Sequence, residues 1–191
     1  MKEAKLYIVL RPILTFLFKV IYKPKIINKE NIKTKHRIVL AGNHTHNFDC
    51  LALIASTKRP IHFLAKIELF KGPIGPIFRS LGLIPVDRKR KNKEALEKAY
   101  QYLNDDKAVC VFPEGTYHKE KGQLLPFKMG AVKMARKTNS MLIPFAIVGK
   151  YKRGKMKIIY GKGYYVESDD LEKENEKLKQ KVLDLIKSYE V

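Results

Sequence analysis

The sequence predicts a single α/β domain with a mostly parallel or mixed sheet covered by helices, preceded by an apolar N-terminal helix. Three observations carry this prediction. Short runs that are apolar throughout alternate with helical patterns, as strands buried on both faces of a layered sheet do. The chain has 191 residues, enough for one good core and too few for two ordinary domains. The segment Leu6–Tyr22 differs in composition from everything after it.

That first segment is almost wholly apolar and aromatic, broken by Arg11-Pro12 and Lys19 and bracketed by Lys2, Lys5, Lys23 and Lys25. A spanning helix needs ~20 predominantly apolar residues, and this run is shorter and carries internal charge. Its aromatic content and basic flanks favour a helix lying at a membrane surface. Two other readings stand beside it. A signal peptide also begins basic and continues apolar, but no small-x-small cleavage site precedes Tyr22-Lys23-Pro24. An amphipathic helix packed on the domain's own core is the other. The expected division is an interfacial anchoring segment over 1–27 and a folded domain over 28–191.

A polar connector, Asn28–Arg37, leads into the strand Ile38–Gly42, which ends at a glycine. Asn47 or Asp49 is placed to cap the following apolar helix, within Asp49–Thr57. Strand runs recur at Ile61–Lys66, Leu83–Asp87, Ala108–Pro113, Met141–Val148 and Met156–Tyr160. Helical patterns separate them at Pro73–Leu81, Lys93–Asn104 and Lys128–Thr138. The last helix, Leu171–Tyr189, spaces Leu171, Leu178, Val182, Leu185 and Ile186 among charges, so it packs one face on the core.

Lys and Arg number 39 against 19 Asp and Glu, a formal charge of +20 spread along the whole chain. The partner is therefore anionic, and nucleic acid, an acidic membrane surface, phosphorylated metabolites and an acidic carrier protein all qualify. No helix-turn-helix, zinc finger or aromatic RNA-binding motif accompanies the charge, so a nucleic-acid partner is not expected. The two cysteines, Cys50 and Cys110, lie in apolar runs without metal-ligand spacing and read as core residues of a reducing compartment. Cys50 adjoins Asp49, but apolar followers raise a thiol's pKa and leave it inert.

The chemistry concentrates in Asn43-His44-Thr45-His46-Asn47-Phe48-Asp49. His44 and Asp49 stand five positions apart, on different faces of a continuous helix, so they meet only across a loop-to-helix junction. A carboxylate bonded to one imidazole nitrogen fixes the tautomer and frees the other to take a proton from a hydroxyl. An ordinary turn hydrogen bond is the alternative. Further along come Lys66-Ile67-Glu68-Leu69-Phe70-Lys71-Gly72-Pro73-Ile74-Gly75, then Ile84-Pro85-Val86-Asp87-Arg88, Phe112-Pro113-Glu114-Gly115-Thr116 and Ile143-Pro144. Past the carboxyl ends of their strands, His44 and Glu114 can share one mouth.

In order and spacing these segments resemble the glycerolipid acyltransferases, closest to the lysophosphatidic acid acyltransferases (1-acyl-sn-glycerol-3-phosphate O-acyltransferases), over residues 38 to about 148. The resemblance implies a glycerol-3-phosphate acyltransferase-like fold, with residues 28–191 as the acyltransferase domain. It also implies acyl transfer from a coenzyme A or acyl carrier protein thioester to the second hydroxyl of lysophosphatidic acid, giving phosphatidic acid. His44 carries over as general base and Asp49 as its orienting partner. Lys66 and Arg88 carry over as anion-binding groups, and Glu114, Gly115 and Thr116 as the acceptor-binding loop. The reaction requires no metal and no organic cofactor. It places the protein against anionic lipids on the cytoplasmic face of the cell membrane, peripheral or monotopic. Tyr117-His118 departs from the Arg-Ser that the family usually shows after Glu-Gly-Thr, which loses a cation and opens a second reading, another lysophospholipid or a lipid-linked polyol as acceptor. His118, Lys119 or Lys121 are candidates to replace the cation, and His46 reads as a surface or supporting group.

Overall fold

The computed structural model describes residues 5–87, 92–117 and 124–189. Seven strands form one sheet: β1 (Lys25–Ile27), β2 (Ile38–Gly42), β3 (Ile61–Lys66), β4 (Ile84–Val86), β5 (Ala108–Val111), β6 (Met141–Gly149) and β7 (Met156–Tyr160). Among the described residues six α-helices accompany them: α1 (Lys5–Tyr22), α2 (Asp49–Ser56), α3 (Gly75–Ser80), α4 (Lys93–Asn104), α5 (Gly130–Thr138) and α6 (Leu171–Tyr189). The strand order is β1-β7-β6-β2-β5-β3-β4. Neighbours run parallel except at the β6–β7 hairpin, so the sheet is mixed.

Strand β2 shows why both faces are covered. Ile38 and Leu40 join one core with Phe18 of α1 and Leu53 of α2, while Val39 and Ala41 join the other with residues of α4, α5 and α6. All five of its residues are buried. Its terminal glycine is a matter of space, since a Cβ on Gly42 would stand 2.2 Å from the carbonyl oxygen of Phe145 on β6. Strands β2 to β6 run parallel to one another, and the segments following the carboxyl ends of β2, β3 and β5 line one cavity.

Two features differ from the sequence expectation. Lys25–Ile27, where the sequence suggested no strand, pairs in parallel with Lys157–Ile159 at the sheet edge, and a 3-10 turn over Lys29–Ile32 occupies the connector. The strand expected over Ala108–Pro113 stops at Val111, because Phe112 turns out of the sheet.

Helix α1 buries Tyr7 and Phe18 and packs on α2 and α3, while Arg11 donates from Nε to the Thr57 carbonyl oxygen at 3.1 Å. Its other side leaves Ile8, Val9, Ile13, Phe16, Val20 and Ile21 about half exposed or more. Among the described residues no helix is long and apolar enough to cross a membrane.

One buried histidine gives the fold a pH dependence. His62 of β3 lies flat on Tyr102, 3.6 Å between ring centroids, and its Nδ1–H donates to the Gly82 carbonyl oxygen at 2.9 Å. Burial, aided by Lys107 and Lys98, holds its pKa down at about 4 against 6.5. The fold needs this imidazole neutral while the unfolded chain protonates it near 6.5, so its contribution is whole above that pH and drains as pH falls. Urea unfolding should show a loss of about 2 kcal/mol from this site by pH 5, before most carboxylates titrate. The loss should be smaller in His62→Gln; an equal loss in both proteins would contradict it.

Candidate active site

Asn43, just past β2, fixes where the loop leaves the sheet. Its side-chain Nδ2–H donates to the Ile147 carbonyl oxygen at 2.9 Å, and its Oδ1 accepts from the Ile147 N–H at 2.8 Å. The side chain thus continues the β2–β6 ladder where the main chain departs, and sequence reading had assigned it no role.

The departing loop wraps around Asp49, the first residue of α2, whose side chain is fully buried. Oδ2 accepts from His44 Nδ1 at 2.7 Å, the Thr45 N–H at 2.6 Å and the His46 N–H at 2.9 Å. Oδ1 accepts from the Thr45 hydroxyl at 3.3 Å and from the Tyr151 hydroxyl. The expected helix-capping role for Asn47 or Asp49 gives way to this arrangement: Phe48 holds the cap position without a side-chain bond, and the carboxylate turns back onto the loop. A buried charge needs such a set of donors, and the loop supplies them.

The same contacts place His44. With Nδ1 held by Asp49, its Nε2 edge is left for the cavity that His44 lines. Phe112 stacks on the imidazole at 4.1 Å and Tyr117 meets it edge-on at 5.9 Å, which explains why Phe112 leaves the sheet. His46 stacks on Tyr151 at 4.4 Å.

Glu114 is brought beside His44. It is buried, its Oε1 accepting from the His44 N–H at 2.9 Å and its Oε2 from the Leu125 N–H at 3.0 Å. Both oxygens accept from the protein's backbone, so the side chain ties the loops after β2 and β5 together. Gly115 and Thr116 of the same loop line the cavity.

The cavity encloses about 390 Å³. Leu64, Val86, Leu96, Val111 and Met134 form an apolar wall between the sheet and helices α4 and α5. Among the described residues, Lys66 and Lys128 are its cations and no carboxylate lines it. Gly115, at φ +73°, makes room for the second of these: a Cβ there would stand 2.8 Å from Lys128 Nζ. Lys128 escaped sequence reading because nothing in its local pattern connects it with Gly115. Arg88, Lys119, Lys121 and His118 lie outside the described residues.

Cys50 also lines the cavity, but burial, with Asp49 adding, pushes its thiol up to about 12. It stays protonated at neutral pH and is a poor nucleophile. Among the described residues, no three His, Cys, Asp or Glu side chains gather as a metal-binding group.

The sequence matches the Acyltransferase family over residues 23–148. It is 32% identical to the 1-acyl-sn-glycerol-3-phosphate acyltransferase of Bacillus subtilis, covering 72% of this chain and 71% of that one. It is 35% identical to a probable 1-acyl-sn-glycerol-3-phosphate acyltransferase of Mycoplasma pneumoniae, covering 77% of this chain and 57% of the relative. The fold is similar to the crystal structure of the 1-acyl-sn-glycerophosphate (LPA) acyltransferase of Thermotoga maritima, with a TM-score of 0.75, 21% identity and coverage of 94% of this chain and 78% of that one. With the matched segment running from the end of α1 through β6 and enclosing the His44–Asp49 pair, the chain belongs to the acyltransferase family, among the 1-acyl-sn-glycerol-3-phosphate acyltransferases.

Proposed function

We propose that the protein moves a fatty acyl group from a thioester of acyl carrier protein or coenzyme A to the sn-2 hydroxyl of 1-acylglycerol 3-phosphate, giving phosphatidic acid. One observation carries this reading: an imidazole oriented by a buried carboxylate opens onto a cavity with an apolar wall and the cations Lys66 and Lys128. His44 Nε2 takes the hydroxyl proton as the acceptor oxygen attacks the thioester carbonyl. Asp49 stabilises the imidazolium that forms. The tetrahedral adduct collapses, the C–S bond breaks, and the imidazolium returns the proton to the leaving thiolate. No acyl-enzyme, metal or organic cofactor takes part.

The apolar wall suits an acyl chain, and the cations suit the acceptor's phosphomonoester. Lys66 and Lys128 supply the charge that Tyr117 withdraws, together with Arg88, which follows Asp87 after β4. Gly115 and Thr116 face the acceptor, and Glu114 holds their loop against His44. The names borne by the relatives support the lysophosphatidic acid acceptor.

Residues 1–27 anchor the enzyme and residues 28–191 carry the acyltransferase domain, with Lys25–Ile27 serving as the sheet edge where the two join. The exposed apolar side of α1, with Leu69, Ile74 and Ile77 nearby in sequence to α3, dips into anionic lipid on the cytoplasmic face of the membrane, and the +20 charge adds attraction.

An acceptor screen with a labelled acyl thioester in anionic micelles tests the reaction. Lysophosphatidic acid should be acylated at the second hydroxyl, and transfer only to acceptors lacking a phosphomonoester would contradict the assignment. Asp49→Asn should lose roughly 10²-fold or more in turnover, whereas Cys50→Ala should keep most of it. An inactive, folded Cys50→Ala enzyme would point instead to an acyl-cysteine.

Lys128→Met should raise the KM for lysophosphatidic acid about 10-fold, the scale of one lost hydrogen bond to a charged group, and leave the thioester KM unchanged. Equal effects on both KM values would remove Lys128 from the phosphate site.

Val9→Asp combined with Phe16→Asp, both at exposed positions, should leave thermal unfolding unchanged and release the protein from phosphatidylglycerol-containing vesicles in a flotation assay. Full retention on those vesicles at high salt would show that another surface holds it.

A further inference from the structure

The hairpin between β6 and β7 joins the N-terminal helix to the catalytic carboxylate. Tyr151 lies in this hairpin, 102 residues from Asp49, and its hydroxyl donates to Asp49 Oδ1. Burial first, and the Asp49 charge second, hold that hydroxyl far above its usual pKa, so it remains a donor. The ring is enclosed on the other side by α1: Tyr22 meets it edge-on at 5.5 Å and Phe18 at 6.5 Å. His46 stacks on it from the catalytic loop at 4.4 Å.

The last turn of α1 is tied to the same hairpin through its main chain. The Tyr22 carbonyl oxygen accepts from the Gly154 N–H at 2.8 Å, and the Val20 carbonyl oxygen accepts from the Arg153 guanidinium. Carbonyls at a helix end lack partners within the helix, and here the hairpin provides them. Helix end, hairpin, tyrosine and carboxylate thus form one connected unit.

We propose that Tyr151 is a positioning residue for the His44–Asp49 pair and that α1 holds it in place, so that the seating of the lipid-facing helix and the geometry of the base are coupled. The proposal rests on the reading of that pair as the acyl-transfer machinery. Of the four donors besides His44 that reach Asp49 among the described residues, three come from the catalytic loop itself and Tyr151 alone comes from elsewhere in the fold. It therefore fixes the rotation of the carboxylate relative to the sheet, and through Oδ2 the direction in which His44 presents Nε2.

The test uses the full-length protein with lysophosphatidic acid and a labelled acyl thioester. Tyr151→Phe keeps the ring and its contacts and removes only the hydroxyl. It should lower kcat roughly 10-fold, the scale of one lost hydrogen bond to a charged group, with both KM values unchanged. A merely structural tyrosine would shift the melting temperature without this split, and a wild-type kcat in Tyr151→Phe would overturn the proposal. Asp49→Asn is measured alongside: if it too keeps wild-type kcat, the underlying reading of the pair falls, whereas silence in Tyr151→Phe alone defeats only the positioning role. The combined Phe18→Leu and Tyr22→Leu variant should also lower kcat at constant KM, and its loss should not add to that of Tyr151→Phe. Wild-type kcat in that variant would remove α1 from the assignment.

Discussion

The structure is organised around one buried charge. The Asp49 carboxylate is wholly out of water, which costs several kcal/mol unless its oxygens are satisfied. Five donors answer that requirement: two backbone N–H groups and a hydroxyl from the loop it heads, the imidazole of His44, and the hydroxyl of Tyr151. Because the same carboxylate accepts from the loop's backbone and from the imidazole, the loop cannot adopt its conformation without presenting His44. Folding of this segment and alignment of the imidazole are a single event.

The rest of the fold brings other elements to that event. Asn43 pins the loop's start to β6, Glu114 pins it to the segments around β5 and α5, and Tyr151 pins its end to the β6–β7 hairpin. The bonds from Asn43 to Ile147, His44 to Glu114 and Tyr151 to Asp49 span 104, 70 and 102 residues, so they join distant parts of the chain. With the loop fixed on three sides, the imidazole has Phe112 beneath it and a cavity before it, apolar along the sheet and cationic at Lys66 and Lys128. That division of surfaces matches a molecule with a hydrocarbon chain and a phosphate. Helix α1 is apolar on both sides: Tyr7 and Phe18 are buried against the protein, and Val9 and Phe16 are exposed.

What was legible in the sequence follows from the range of the interactions. Fully apolar runs such as Ile38–Gly42 can be satisfied only between two covered faces, so the central strands could be read locally. His44 and Asp49 could be paired because their spacing and a strand-to-helix junction limit where the chain can go. Lys25–Ile27 could not, since three residues carry little pattern and their partner, Lys157–Ile159, lies far along the chain. Phe112 is as apolar as a strand residue, and nothing local tells that it stacks on an imidazole. Lys128 and Tyr151 were invisible for the same reason. Their roles arise from a neighbour, Gly115 or Asp49, that only the tertiary structure supplies. Glu114 was found by its motif, but its partners, two backbone N–H groups, required coordinates.

The central claim is that the imidazole of His44 removes the acceptor's proton. The most direct measurement is the turnover of purified His44→Ala with a labelled acyl thioester and lysophosphatidic acid, alongside its circular dichroism. Loss of a general base lowers rates by ~10²–10⁴-fold, and that loss is expected here with an unchanged spectrum. Near-normal turnover by a folded His44→Ala protein would contradict the account.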